Sequence, residues 1–413
     1  MGSSRPGSRA EGALARALSR ADRGRRWRAF GLAAPLLLFL LFTFVAPIGL
    51  MLFRSVDDPE VAAVLPETVA ALAQWDGRAA PDEPVYAALA VDLARAHREQ
   101  TVAIAGKRLG DELTGFRGVL GQSAREMAAR PGGPYKPRFA AIDPRWVDRE
   151  TWVVLRRASG PLTLSHLLAA LDRRRDVEGR ITPISADQAI YVDALGRTFW
   201  VALQVTALCL VLGYPVAFLL ASLSRRRANA LLILVLLPFW TSILVRTTAW
   251  IVLLQTEGVV NDVAVWTGLW TDRAQLIFNR TGVLTAMTHV LLPFMVLPLY
   301  SVMKGIPPAY VRAARSLGAG PFTAFRRVYL PQTYPGIAAG GLLVFILAIG
   351  YYITPALVGG PRDQLTSYFV ALHTDQTLNW GLASALGAIL LVVTLGLYLV
   401  FTRVTSVDRL RLG

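Results

Sequence analysis

Residues 312–331 read RAARSLGAGPFTAFRRVYLP, and the interpretation of the whole chain depends on this stretch. It contains four arginines and no acidic residue, and it lies between two long apolar runs. The paired prolines at 307–308 suit the first turn of a helix over about 309–317, with Gly318 as its stop. Pro321 can start a second helix to about Tyr329, which the dipeptide Leu330-Pro331 is expected to end.

The composition indicates a membrane protein with some soluble mass. Of 413 residues, 54% are hydrophobic and 17% are charged, whereas soluble domains average about a quarter charged. The net charge of +15 could indicate nucleic-acid binding, but the arginines form short clusters beside apolar runs, as membrane topology requires. The single cysteine, Cys209, excludes an intrachain disulfide and a multi-cysteine metal site.

Six apolar runs are long enough to cross a bilayer, which requires about 20 residues per helix. The first could instead be a cleaved signal peptide, but signal h-regions have only about 7–15 apolar residues. We therefore interpret it as a retained anchor. The predicted spans are 30–53, 198–223, 230–255, 281–303, 336–358 and 381–402.

The distribution of arginines predicts the orientation. Eight arginines precede the first span, and further basic clusters follow the second, fourth and sixth spans. The positive-inside rule then places both termini in the cytoplasm. Residues 54–193, with 19 basic and 20 acidic side chains, are near neutral, and long loops translocate largely regardless of charge.

These features predict an all-α membrane protein with six transmembrane helices and a mainly helical extracytoplasmic insertion. The predicted segments are a basic N-terminal segment 1–28, a first span 29–53, the insertion 54–193, a core of five spans 194–405 with a cytoplasmic loop 304–335, and a tail 406–413.

The loop 304–335 has the residue types of a docking element. Small residues permit close approach, Phe322 and Phe325 are possible aromatic anchors, and arginines form a basic rim. Attachment to anionic lipid is the alternative explanation of this composition.

The pattern Ala-Ala-x-x-Leu-Gly-Ala, followed about ten residues later by Leu-Pro, resembles the EAA loop of bacterial ABC importer permeases. This resemblance implies that the loop docks on a cytoplasmic ATPase. Arg312 departs from the pattern, because the family usually has Glu at that position. The residues to which the resemblance assigns ATPase coupling are Arg312, Ala313, Ala314, Leu317, Gly318, Phe322, Phe325, Leu330 and Pro331.

Three further stretches are similar to spermidine/putrescine-type permeases: PFWTSILVRTTAW at 238–250, LPFMVLPLY at 292–300, and GYYITP at 350–355 followed by Gly359-Gly360. The similarity covers about half the chain, residues 192–405. It implies a small organic cation as solute, such as spermidine or putrescine. An amino-acid derivative, another nitrogen compound or an anion remains an alternative.

The translocation path is expected to involve Trp240, Arg246, Tyr351, Tyr352 and Thr354. Aromatic faces attract amines by about 0.5–2 kcal/mol, although Trp and Tyr are also common at bilayer interfaces. Arg246 suits a structural pairing or a gate better than contact with a cation. Prolines 238, 293, 298 and 355 are expected to break or kink helices. His289 suits an interhelical hydrogen bond better than proton transport.

The chain contains no phosphate-loop motif, so it is not predicted to be an enzyme. ATP and magnesium are expected on the partner ATPase, and no cofactor or metal on this chain. The resemblance implies two ATPase subunits, a second permease, a periplasmic solute-binding protein and the bilayer of the bacterial inner membrane as partners, with no nucleic acid. A secondary transporter, a channel, an anchored receptor and an intramembrane enzyme are the rival classes.

Residues 54–193 exceed the corresponding loop of the family. Apolar spacing predicts helices over 84–113, 115–129 and 162–176. The insertion could pack on the outer face, or it could help to seat the solute-binding protein.

Overall fold

The computed structural model describes residues 30–405, which are mostly helical. The segment 1–28 and the tail 406–413 lie outside the described residues. As predicted, six helices are long and apolar enough to cross a membrane. The first, α1 at Phe30–Arg54, falls in one compact unit, and a second unit begins at Ser55. The insertion and the five-span core share this second unit, so the predicted domain boundaries stay a prediction.

The insertion is built from short helices and one hairpin. In the hairpin, Arg174 pairs with Thr182 in an antiparallel register, and a 3-10 turn covers Pro144–Val147. The elements are α2 Glu60–Val64, α3 Pro66–Leu72, α4 Glu83–Arg98, α5 Val102–Gly110, α6 Phe116–Ala129, α7 Tyr135–Ile142, α8 Arg149–Ala158, α9 Ser165–Ala170, β1 Arg173–Arg175 and β2 Ile181–Pro183.

The core of the insertion centres on two fully buried tryptophans. The Trp146 ring meets Phe139 edge-on at 5.1 Å between centroids. Its indole N–H donates to Ser123 Oγ at 2.9 Å, and the Trp146 carbonyl accepts from Trp152 Nε1 at 2.8 Å and from the Tyr86 hydroxyl at 2.6 Å. Because these buried polar groups are paired, the aromatic core carries no desolvation penalty from them.

Two of the predicted insertion helices are wrong in extent. The helix predicted over 84–113 is interrupted at Gln100, whose φ of 59° is left-handed, and continues as the separate α5. The helix predicted over 162–176 stops at Ala170, because Asp172 has a φ of 53° and turns the chain into β1. The carboxylate of Asp172 then accepts from the N–H groups of Ile190, Tyr191 and Val192 and caps the next helix.

The membrane body follows the insertion. Its elements are α10 Tyr191–Ser222, α11 Arg225–Leu236, a 3-10 turn Leu237–Trp240, α12 Ile243–Leu254, α13 Val259–Trp266, α14 Arg280–Gly305, α15 Pro308–Ser316, α16 Pro321–Ala324, a π-helical turn Phe325–Tyr329, α17 Leu330–Ile349, α18 Ile353–Val358, a 3-10 turn Pro361–Asp363, α19 Thr366–Asp375 and α20 Trp380–Thr405.

Glycines bring α10, α14 and α17 together around Met295 of α14. A Cβ built on Gly213 of α10 would lie 3.2 Å from Met295 Cγ, and one built on Gly340 of α17 would lie 2.9 Å from Met295 Sδ. A Cβ built on Gly336, one turn before Gly340, would lie 3.2 Å from Leu299 Cα in the α14 backbone. Small residues of this kind let helices in a membrane approach closely.

The structure corrects three expectations about the spans. The third, predicted over 230–255, is two helices separated by a 3-10 turn at Pro238, and the apolar segment long enough to span is Ile243–Trp266. The fifth, predicted over 336–358, ends at Ile349. Pro293 and Pro298 lie inside α14 and do not break it, so the kink that is the other expected effect of these prolines stays a prediction. Pro331 likewise does not end the helix from Pro321, because the π-helical turn accommodates it near the start of α17.

Candidate functional site

The loop predicted to dock on an ATPase consists of two helices joined by a left-handed glycine. α15 ends at Ser316, and Gly318 adopts a φ of +86°. Its N–H donates to the Arg315 carbonyl at 3.1 Å, and the Ala319 N–H donates to the Ala314 carbonyl at 3.1 Å. Glycine adopts this conformation without the steric cost borne by other residues. The stop predicted at Gly318 therefore has a clear backbone cause.

The loop has an exposed side and a packed side. Leu317 is 89% exposed and Phe322 is 73% exposed. Phe325 instead meets the rings of Tyr214 and Phe218 in α10 edge-on, at 6.2 Å between centroids in both cases. The two phenylalanines, adjacent on the predicted helix, thus face different surroundings.

The other loop residues selected from the sequence follow the same division. Arg312 and Ala313 are exposed on α15, and Ala314 is half-buried. Leu330 is half-buried and Pro331 is exposed at the start of α17. The exposed side therefore combines apolar side chains with basic ones.

Tyr329 connects the packed side of the loop to α10. Its ring lies 5.4 Å from Phe218 edge-on and stacks on Phe325 at 5.9 Å. Tyr214, one turn before Phe218, also has its hydroxyl 3.3 Å from Thr333 Oγ1 of α17. The packed side of the loop therefore contacts the end of α10 through Phe325 and Tyr329.

The residues predicted for the translocation path do not form a single cluster. Trp240, at the end of the 3-10 turn, is 86% exposed and makes no hydrogen bond or ring contact with the described residues. Tyr351 and Tyr352 lie where α17 has ended and α18 has not yet begun. Thr354, in the first turn of α18, is buried, and its hydroxyl is 3.3 Å from that of Thr247 in α12.

Arg246 lies one turn before Trp250 on α12. Trp250 Nε1 donates to His289 Nδ1 of α14 at 3.2 Å, which confirms an interhelical hydrogen bond for this histidine. The Arg246 guanidinium lies within electrostatic range of the His289 ring and of the Tyr351 hydroxyl. An arginine at the centre of a membrane helix costs about 2.5–3.5 kcal/mol on insertion scales, so a polar environment here is expected.

The glycine pair Gly359-Gly360 closes the α18 end of this region. A Cβ on Gly359 would lie 2.8 Å from Val283 Cγ2, and one on Gly360 would lie 2.7 Å from the Phe278 carbonyl oxygen. Nearby, Arg280 Nε donates to Asp363 Oδ1 at 2.8 Å. Side chains larger than hydrogen would separate α18 from the start of α14.

Sequence reasoning missed two features. Gly336 and Gly340 are spaced as in a small-xxx-small motif, a signal that was present in GIAAG at 336–340 but was not used. The partner of Trp250, His289, is 39 residues away along the chain, so no local sequence pattern pairs them.

Comparison with known proteins places these elements in a family. A family of binding-protein-dependent transport system inner membrane components matches residues 213–411. The spermidine/putrescine transport system permease protein PotB of Escherichia coli (strain K12) is 35% identical over 210 residues, which are 51% of this chain and 76% of PotB. The chain belongs to the binding-protein-dependent transport inner-membrane component family.

The permease resembles two further proteins at lower sequence identity. The probable sulfate transport system permease protein cysT of Nephroselmis olivacea is 32% identical over 152 residues, 36% of this chain and 54% of that protein. The crystal structure of a bacterial ABC transporter for the acidic polysaccharide alginate shares 23% identity, with a TM-score of 0.43 over 52% of this chain and 79% of that one. By its family and its relative PotB, the chain is an ABC importer permease, a multi-pass component of the inner membrane.

Proposed function

We propose that this permease couples a cytoplasmic ATPase pair to solute passage through its exposed loop face. The observation that carries the proposal is the division of residues 308–331 into an exposed apolar side and a side packed on α10. Leu317 and Phe322 suit insertion into a partner's cleft, since apolar anchors surrounded by polar groups typify docking surfaces. Phe325 and Tyr329 would pass the resulting displacement to α10.

The assembly proposed around this chain follows the family resemblance. It contains a second permease, two ATPase subunits that bind ATP and magnesium, and a periplasmic solute-binding protein. Both termini of this chain and the loop 304–335 would lie in the cytoplasm. The insertion would lie on the opposite side, where it could contact the solute-binding protein. The basic loop residues and the near-neutral insertion support this orientation.

The solute is proposed to be a small organic nitrogen compound, with polyamines as the first candidates. Support for polyamines comes from the relatives, since PotB carries spermidine and putrescine in its name. The tyrosines at 351–352 and Trp240 could offer ring faces to an amine. A second candidate, a solute carrying a carboxylate as well as an amine, has support in Arg246, which no described carboxylate neutralises.

Co-purification from a strain that expresses this chain with its genomic neighbours tests the coupling proposal. Leu317→Glu and Phe322→Glu are each expected to reduce retention of the ATPase at least about tenfold, because a charged group in an apolar anchor site is left desolvated. Val91→Glu, at an exposed apolar position of α4, is the control and should leave retention unchanged. Wild-type chain that never retains an ATPase would refute the proposal.

A further inference from the structure

Two of the three guanidinium nitrogens of Arg246 lack a hydrogen-bond partner. Its Nε–H and Nη1–H groups are shielded from solvent and donate to no acceptor among the described residues. The described residues also contain no carboxylate within 4.0 Å of it. A buried charged group is normally paired or hydrogen-bonded, because desolvation otherwise opposes the fold.

Three other arginines in this part of the chain are paired. Arg197 donates to the Gln364 carbonyl at 3.0 Å. Arg273 contacts Asp262 at 2.7 Å, and Arg280 contacts Asp363 at 2.8 Å. The unpaired state of Arg246 is therefore not a general property of arginines in this region.

The polar side chains next to Arg246 on α12, those of Thr247 and Trp250, already have partners. His289 Nδ1 is occupied by the Trp250 indole N–H, so a neutral His289 carries its own proton on Nε2 and donates there. The Thr247 hydroxyl donates to the Ile243 carbonyl at 2.8 Å and lies 3.3 Å from the Thr354 hydroxyl. None of these bonds neutralises the Arg246 guanidinium, whose N–H groups without a partner are complementary to an anion.

We propose that Arg246 binds a carboxylate supplied from outside this chain. Arginine suits this role because its planar guanidinium matches the two oxygens of a carboxylate. The inference rests on the proposed function, which provides two sources of the same chemistry: the translocated solute and the second permease subunit. A solute source would make an amino acid-like molecule the cargo, and a subunit source would leave a polyamine possible.

The solute arm uses the complete transporter in proteoliposomes, with Arg246→Gln and Arg246→Lys variants of this chain. Inhibition of solute uptake by putrescine is compared with inhibition by 4-aminobutyrate. Both compounds have four carbons and a terminal amine, but putrescine has a second amine where 4-aminobutyrate has a carboxylate. If the solute supplies the carboxylate, wild-type uptake is inhibited by 4-aminobutyrate. Arg246→Gln should then weaken that inhibition about tenfold or more, and Arg246→Lys should weaken it less.

The subunit arm uses the same complex with Arg246→Lys and a carbodiimide, which joins a lysine amine to a carboxylate in contact with it. If the second permease supplies the group, mass spectrometry finds residue 246 linked to one of its acidic residues. Arg246→Gln should then also lower co-purification of the permease pair. The matched control is Arg273→Lys, which should link only to Asp262 within this chain.

The proposal is overturned if Arg246→Gln changes neither inhibition by 4-aminobutyrate nor co-purification of the pair, and no link forms at residue 246. Failure of the proposed function looks different. In that case wild-type complex shows no ATP hydrolysis stimulated by the solute-binding protein, whichever residue occupies position 246. The carbodiimide result still reports on the carboxylate site in that event.

Discussion

Gly381, at the start of α20, lies directly against the imidazole of His166 in α9. A Cβ at position 381 would be 2.3 Å from His166 Nε2 and 2.5 Å from Cδ2. His166 is itself buried, so its ring cannot move aside freely. The insertion is further tied to this end of α20 by the Lys107 amine, which donates to the Leu378 carbonyl, and by Asn379 Nδ2, which donates to Asp111 Oδ2 at 3.0 Å.

Gly381→Ala is therefore expected to destabilise the seam between the insertion and α20. Overpacking of this kind typically costs about 1–3 kcal/mol, so the melting temperature of the detergent-solubilised chain should fall. Gly396→Ala is the matched control in the same helix, because a Cβ there meets nothing within 4 Å. Its melting temperature should stay equal or rise slightly. Equal behaviour of the two variants would contradict the proposed close contact.

The same contact predicts a pH dependence. Burial lowers the pKa of His166, and the positive charge of Arg108 lowers the pKa further, against smaller opposing effects of Asp58 and Glu112. The folded chain therefore binds this proton less readily than the unfolded chain, whose histidine pKa is about 6.5. Stability from this group is fully present above about pH 6.5 and is lost as the pH falls through the lowered pKa.

Melting temperatures measured between about pH 7.5 and pH 5 test this sign. In His166→Asn, the melting temperature should fall less on acidification than it does in wild type. His97→Asn, at an exposed histidine of α4, should leave it as in wild type. A steeper acid loss in the His166 variant would mean that His166 is protonated in the folded chain.

Gly318 is expected to be essential for coupling because of its backbone rather than its size. Proline requires a φ near −65°, which is incompatible with the observed +86°. Gly318→Pro should therefore abolish solute uptake and leave the amount of chain in the membrane unchanged. Gly318→Ala should reduce uptake less, since a left-handed residue costs about 1–2 kcal/mol.

Gly320 provides the control for this prediction. It lies two residues away, also has open space where a Cβ would be, but has an ordinary φ of −62°. Gly320→Ala should preserve uptake. Loss of uptake in both variants would show that the exposed surface, not the left-handed turn, is what the loop requires.

Alanine substitutions at Gly340 and at its neighbour Gly341 distinguish the effect of helix packing on stability from the effect of helix propensity. A Cβ on Gly340 would lie 3.1 Å from the Met295 carbonyl oxygen, a backbone atom, whereas one on Gly341 would lie 3.8 Å from Thr206 Cγ2. Gly340→Ala should lower the free energy of unfolding by about 1–3 kcal/mol, and the melting temperature should fall with it. Gly341→Ala should change stability by less than about 0.5 kcal/mol. Comparable losses in both would contradict close α14–α17 packing.

The sequence alone was sufficient for features that depend on local composition. The apolar runs identified the six candidate spans, and Gly318 was correctly placed as the stop of α15. An apolar run does not show where a helix is interrupted. The predictions therefore missed the break at Pro238 and extended the fifth span beyond the end of α17 at Ile349. The helix through Pro331 continues because a π-helical turn precedes it, and no residue pattern predicts that geometry.

Long-range contacts were beyond sequence reasoning for a different reason. His166 and Gly381 are far apart in the chain, and neither residue type signals the other. The same holds for Phe325, whose neighbours Tyr214 and Phe218 come from α10. The coupling residues could be selected from the motif, but their division between exposed and packed sides follows from tertiary packing.

The continuity of the helix from Pro321 to Ile349 gives the loop mechanical leverage. The 29 residues of this segment form a rod about 43 Å long at 1.5 Å per residue, with the π-helical turn near one end and the tyrosine pair 351–352 just beyond the other. Pressing on Phe322 would swing this rod about its crossing with α14 at Gly336 and Gly340. A small displacement of the loop would then move the segment beside Tyr351 in the opposite direction.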